Sequence, residues 1–332
     1  MIRLAAVALL GAVLAAGPAF AQKKEFRYAT SAPPGTPWEK QINEYRANVQ
    51  KHSNGQIDIV PYLNSVLGSE TEVIGQVQRG RVDMGGFSIT AGATVVPELA
   101  LLAAPYIWDS EKQLDCVLDN HLAQPFFDMF AKKGMYFVGW AEAGWVIVGG
   151  KKPLITPDDV RGYKVRTAPS KASAAFWSAM GANGVPLAVT EINSSLQTGM
   201  VDGVDVPITT FVAGGVGRLA PHAVLTRHTN LASVVVINKR LYDGLSAEQK
   251  KALENANTPP EQLRREVRGM EMFLLGKHKE GGGQVHALTP DQLGEWKKRA
   301  SATHPDLVRE IGGEAQQIFE RIQRGKAACP VS

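Results

Sequence analysis

Strand-forming runs alternate with capped helical segments from Phe26 onward, and this alternation restricts the chain to parallel α/β units. Phe26 to Thr30 reads as a strand ended by Pro33-Pro34-Gly35. Trp38, Ile42, Tyr45 and Val49 then recur at helical spacing until Gly55. Gln56 to Tyr62 alternates as a second strand. Ser69-Glu70-Thr71-Glu72 opens the next helix as a capping box, because Ser69 and Glu72 satisfy amides the helix leaves free. That helix ends near Gly80, and Val82, Met84 and Phe87 mark a third strand.

The same grammar returns in the second half. Thr156-Pro157-Asp158-Asp159 caps a short helix with a proline at its first turn. Gly162 ends it, and Tyr163 to Thr167 forms a strand. Ser170 starts a helix carrying Phe176, Trp177 and Met180, and Thr190 starts another that stops at Gly199. Gln78-Arg79-Gly80-Arg81-Val82-Asp83 echoes Gln197-Thr198-Gly199-Met200-Val201-Asp202. In each, a helix end and a glycine stop lead through Val-Asp into a strand, as expected of two similar lobes. From Ser246 the chain turns helical, with a capping box at Ser246-Ala247-Glu248-Gln249. Pro259-Pro260 must break or kink this run.

Ahead of this pattern lies a targeting segment. Arg3 precedes an apolar run from Leu4 to Ala16, and Ala19-Phe20-Ala21 fits a small-x-small cleavage rule. Residues 1–21 are therefore expected to be a signal peptide cleaved after Ala21, which places the remainder in the periplasm. No later segment reaches the roughly 20 consecutive apolar residues a membrane helix needs. The net charge is only +4, with Lys and Arg interleaved among Asp and Glu, so no nucleic-acid footprint exists. Cys116 and Cys329 are the only cysteines; outside the cytoplasm they permit one disulfide, with free buried thiols as the alternative.

Catalytic signatures are missing. Ser88 sits in Gly86-Phe87-Ser88-Ile89-Thr90, which lacks the second glycine of a nucleophile elbow. Gly214-Gly215-Val216-Gly217 lacks the Lys-Ser/Thr of a phosphate loop, and no His-Glu-x-x-His occurs. We therefore expect no catalytic residues, no metal and no cofactor. Arg166 is the informative side chain. It falls near the end of a strand, and ligands of such sheets bind beyond the carboxyl ends of the strands. A guanidinium there stays charged and offers two parallel donors to a carboxylate.

Several ordered motifs resemble one family across nearly the whole chain after residue 21. They include Leu67-Gly68, Gly80-x-Val82-Asp83-Met84, Ala104-Pro105-Tyr106-Ile107 and Pro157-x-Asp159-Val160-x-Gly162-x-Lys164-x-Arg166. Met180-Gly181-Ala182, Glu191, Leu196-Gln197-x-Gly199-x-Val201-Asp202-Gly203 and Leu245-Ser246-x-Glu248-Gln249 follow. The chain is similar to the solute receptors of tripartite ATP-independent periplasmic (TRAP) transporters, of the C4-dicarboxylate-receptor type. The resemblance implies a two-lobed, hinged α/β binding protein of Venus-flytrap form, with a long kinked helix across both lobes at Ser246–Lys279. It places residues 22–143 and about 232–270 in one lobe, and 144–231 and about 271–332 in the other. It makes Arg166 the clamp for a substrate carboxylate and membrane transporter subunits the partners. A monomer is expected.

Two departures from the family pattern matter. Gly144-Trp145-Val146 replaces a Gly-aromatic-Arg, and Val206 stands where relatives carry Asn. Both make the pocket less polar and point to a monocarboxylate with an apolar or aromatic body. Further pocket candidates are Glu70, Ser88 and Thr90 as polar contacts, Trp145 and Phe211 as stacking rings, and Trp38 at the rim. A receptor for an ATP-driven importer shares the same two-lobe physics and is the alternative; a periplasmic enzyme using the same cleft is the remaining class.

Overall fold

A computed structural model describes residues 23–331, so the leader assigned to residues 1–21 lies outside the described residues. Among the described residues, nine strands form one mixed sheet: β1 (Lys24–Thr30), β2 (Ile57–Tyr62), β3 (Met84–Ser88), β4 (Met135–Gly150), β5 (Lys164–Thr167), β6 (Asn183–Pro186), β7 (Gly203–Pro207), β8 (His222–Asn238) and β9 (Gln284–His286). Their order is β2-β1-β3-β8-β4-β7-β5-β6, with β9 beside β8. β1 pairs in parallel with β2 and β3, and β5 with β6 and β7, as the alternating pattern implies.

β4 and β8 were not evident in the sequence. They are 16 and 17 residues long, run antiparallel, and join the two parallel sets. Register shifts at Phe137/Gly139, Glu142/Gly144 and Val146/Val148 interrupt their ladder. An unpaired residue bends a strand and increases its twist, so this pair passes between the halves as a bent ribbon.

Apolar cores lie on both sides of the sheet in each half. In the first half, Phe26, Ile57, Ile59 and Ile237 pack beneath the helix Pro37–His52, and Phe87, Leu99, Phe130 and Val234 form the opposite core. In the second, Ile147, Val204 and Phe211 form one core, and Val165, Trp177 and Trp296 the other. The sequence echo is structural. Gly80 and Gly199 both take left-handed φ values, 75° and 73°, and each precedes a cavity-facing strand by the same interval. A left-handed residue after a helix suits glycine, which has no Cβ to clash.

The expected bend at Pro259-Pro260 is realised as an interruption. One helix ends at Asn255, and a 21-residue helix starts afresh at Pro260 and runs to Glu280. Pro260 opens that helix because a first-turn position needs no N–H. The long helix reaches both halves: Arg264 donates two hydrogen bonds to Asp119, at 2.7 and 2.8 Å, while Leu275 enters the core beneath β7.

The C-terminal helices depart from the assignment of residues 271–332 to the second half. Trp296 does pack there. Leu307, Val308, Ile318 and Ile322, however, join the core of Leu118 and Phe126 in the first half, and Cys329 is disulfide-bonded to Cys116. An amphipathic helix announces its apolar face but not which core receives it. Among the described residues no helix is long and apolar enough to cross a membrane.

Candidate ligand-binding site

A cavity of about 650 Å³ lies between the carboxyl ends of β1 and β3 and those of β5 and β7. Arg166 is on its wall, 3% exposed. The side chain ties the residue after β6 to the middle of β7: Nε donates to the Leu187 carbonyl at 2.9 Å, and Nη1 to the Asp205 carbonyl at 3.0 Å. Nη2 has no hydrogen-bond partner among the described residues. The guanidinium is therefore fixed by two of its nitrogens and left with donors for a third party.

Asp205 supplies the nearest negative charge, with Oδ1 3.5 Å from Arg166 Nη1. Ser173 donates to its other oxygen at 2.8 Å, whereas Oδ1 is buried without a hydrogen-bond partner. Burial pushes the Asp205 carboxyl up, opposed by the adjacent Arg166. Burial lowers the Arg166 pKa, and Asp205, Glu70 and Glu191 counteract it. His228, from β8, stacks on Phe176 with ring centroids 4.1 Å apart and shares a hydrogen bond with Thr226. Burial brings its pKa down to about 3, so it is neutral near pH 7 and adds no positive charge. Among the described lining residues, Arg166 is the only arginine or lysine.

Six of the eight expected residues line this cavity: Arg166, Glu70, Ser88, Thr90, Val206 and Trp38. Glu70 does not cap its own helix. Glu72 does so, accepting the Ser69 N–H at 3.0 Å. Glu70 instead accepts hydrogen bonds from Ser31 Oγ, the Ser88 N–H and Ser88 Oγ at 3.0, 3.1 and 2.7 Å. It laces the ends of β1 and β3 together, and its acceptors are largely filled. Trp38 is pinned by its indole N–H to the Glu142 carbonyl at 2.8 Å.

Trp145 and Phe211 are corrections, since neither lines the cavity. The Trp145 indole N–H donates to Glu111 at 2.6 Å, away from the site, and its neighbour Val146 lines the cavity instead. The register shift at Glu142/Gly144 sets which face each of them occupies. Phe211 is fully buried, edge-on to His278 in the core beneath β7. The roles of Asp205, Phe176 and His228 were missed. Asp205 lies two residues beyond the Val201-Asp202-Gly203 motif, but His228 comes from a crossing strand with no local signature.

The model of the family described as "Bacterial extracellular solute-binding protein, family 7" matches residues 28–310. The chain belongs to this family. Family 7 proteins are periplasmic solute receptors of TRAP transporters rather than enzymes; they bind small organic acids and work with TRAP membrane subunits. One relative is the C4-dicarboxylate-binding periplasmic protein DctP of Rhodobacter capsulatus, 27% identical over 300 residues that cover 90% of each chain. A solved structural neighbour is a TRAP periplasmic solute-binding protein from Sulfurospirillum deleyianum with bound succinate. It is 25% identical with a TM-score of 0.83, covering 91% of this chain and 99% of that one. The sugar acid binding protein DctPAm from Advenella mimigardefordensis, in complex with galactonate, shares the fold with a TM-score of 0.86 at 22% identity. That match covers 92% of this chain and 99% of the other.

Proposed function

We propose that this receptor captures a monocarboxylate with an apolar or aromatic body and presents it to its TRAP membrane subunits. One observation carries the reading: a single guanidinium, Arg166, faces a cavity whose described lining holds no second Arg or Lys. A second carboxylate there would be desolvated without a cation, at a cost of several kcal/mol. Val146 and Val206, the two positions at which the family resemblance leads one to expect Arg and Asn, both line the cavity. Phe87, Trp140, Phe176 and Leu231 add apolar surface for the body of the acid.

In this reading the lobes are residues 23–143 with about 232–270, and 144–231 with about 271–303. Residues 304–331 join the first lobe by virtue of their core packing. The hinge is the bulged middle of β4 and β8. Acid binds to Arg166 on the second lobe, and closure brings up the first-lobe wall. A ligand shifts this equilibrium only by its differential affinity for the closed form. Exclusion of water then strengthens the pair at Arg166. Secretion across the inner membrane with a cleaved leader is part of the same proposal.

Calorimetry with matched acids tests it. Phenylpropanoate and branched 2-oxo acids should bind in the micromolar range, and succinate at least about tenfold more weakly for want of a second cation. Succinate binding as tightly as the best monocarboxylate would reject the reading.

A further inference from the structure

The first-lobe wall of the cavity carries a phenol with nothing to bond. Tyr28 reaches the cavity from β1, is 5% exposed, and its hydroxyl has no hydrogen-bond partner among the described residues. The hydroxyl of Tyr45, another cavity residue, is sealed and likewise without a partner. Burial raises the Tyr28 pKa far above its ordinary value, so the phenol keeps its proton and remains a neutral donor. A buried donor without an acceptor costs roughly 1–3 kcal/mol, which a ligand oxygen would recover.

The floor beside it is cut low. Thr30, Gly86, Val235 and Gly139 form one row across β1, β3, β8 and β4, and all four line the cavity. A Cβ at Gly86 would stand 2.5 Å from the Tyr28 hydroxyl, so glycine is what admits the phenol. A Cβ at Gly139 would meet nothing within 4 Å, so space is open above the sheet there. The row lies on the first half of the sheet, whereas Arg166 lies on the second.

We propose that Tyr28, seated over Gly86 and beside the open floor at Gly139, is a second subsite for an uncharged oxygen function on the ligand. That oxygen, a hydroxyl or a ketone, sits at the end far from the carboxylate held by Arg166. The inference rests on the monocarboxylate reading above and narrows it to acids with a polar but neutral tail. A neutral tail is required because no cation among the described lining residues faces this wall.

The test is calorimetry with phenylpropanoate and its para-hydroxy counterpart on the full chain, Tyr28→Phe and Gly139→Val. The hydroxylated acid should bind the parent about tenfold more tightly, the upper range for one neutral hydrogen bond. Tyr28→Phe should erase that preference, so that the two acids bind the variant with equal affinity. Gly139→Val, which fills the floor, should weaken both acids at an unchanged melting temperature. Equal affinity of the parent for both acids overturns the subsite and leaves acid capture standing. Failure of both acids to bind overturns the subsite together with the aromatic-body reading.

Discussion

Arg166 and Asp205 form a buried ion pair on the cavity wall, with Nη1 3.5 Å from Oδ1 and both side chains at most 5% exposed. Arg166 therefore does two jobs, and removing it does more than delete a ligand contact. Arg166→Ala would leave the Asp205 charge buried without its partner, at about 3–5 kcal/mol. We expect a lowered melting temperature as well as about tenfold or greater loss of acid affinity. The double variant Arg166→Met/Asp205→Asn should recover most of the stability and none of the affinity. Thermal melts and calorimetry on the two variants check this; recovered affinity in the double variant would take Arg166 out of the site.

Val146 offers the converse experiment. It lines the cavity, at the position where the resemblance to the family leads one to expect a cation. Val146→Arg should raise succinate affinity about tenfold or more, because a second carboxylate would then find a donor fork. Affinity for phenylpropanoate should fall as apolar surface is lost. No gain for succinate would mean that position 146 does not face the bound acid.

Glu271 on the long helix accepts the backbone N–H of Trp145 at 2.9 Å, just past the bulge in β4. Burial raises its pKa from 4.5 to about 7, with the Trp145 N–H and Arg227 acting against the rise. The native state thus holds a proton that the unfolded chain has lost between about pH 4.5 and 7. Its contribution makes stability fall as pH rises through that window, by up to about 3 kcal/mol, and stay level above it. Glu271→Gln should flatten this slope while keeping an acceptor for Trp145. Urea midpoints of both proteins across that range would show it; parallel curves would refute the assignment.

The bridge between Cys116 and Cys329 closes a sequence separation of 213 residues. Loop entropy and packing together give an expected loss of about 2–5 kcal/mol for Cys116→Ser/Cys329→Ser. Ligand affinity should be unchanged, since neither cysteine lines the cavity. Denaturation with and without reductant measures the first, and calorimetry the second.

Much of the fold was legible where local rules decide it. The capping box at Ser69 and the left-handed stops at Gly80 and Gly199 are signalled by residue type alone, and they led to the strands that present Ser88 and Asp205. The position of Arg166 on the cavity wall was legible because a strand end in a parallel sheet opens on a crevice. The crossing strands were not legible, since their bulges destroy the two-residue alternation that identifies a strand. The same bulges turn Trp145 away from the cavity and leave its neighbour Val146 on the lining, a difference of face that no local alternation reveals. Phe211 and His228 illustrate the other limit. Both are buried rings or imidazoles, and only tertiary packing makes one a core residue and the other a neighbour of the site.

The staple at Cys116 fastens the tail to helices that already share its own apolar core, and it does not bridge the opening. A receptor wired this way can be made more or less durable by its redox surroundings without altering how readily its jaws meet. Endurance of the fold and appetite for cargo are therefore traits that selection can adjust separately.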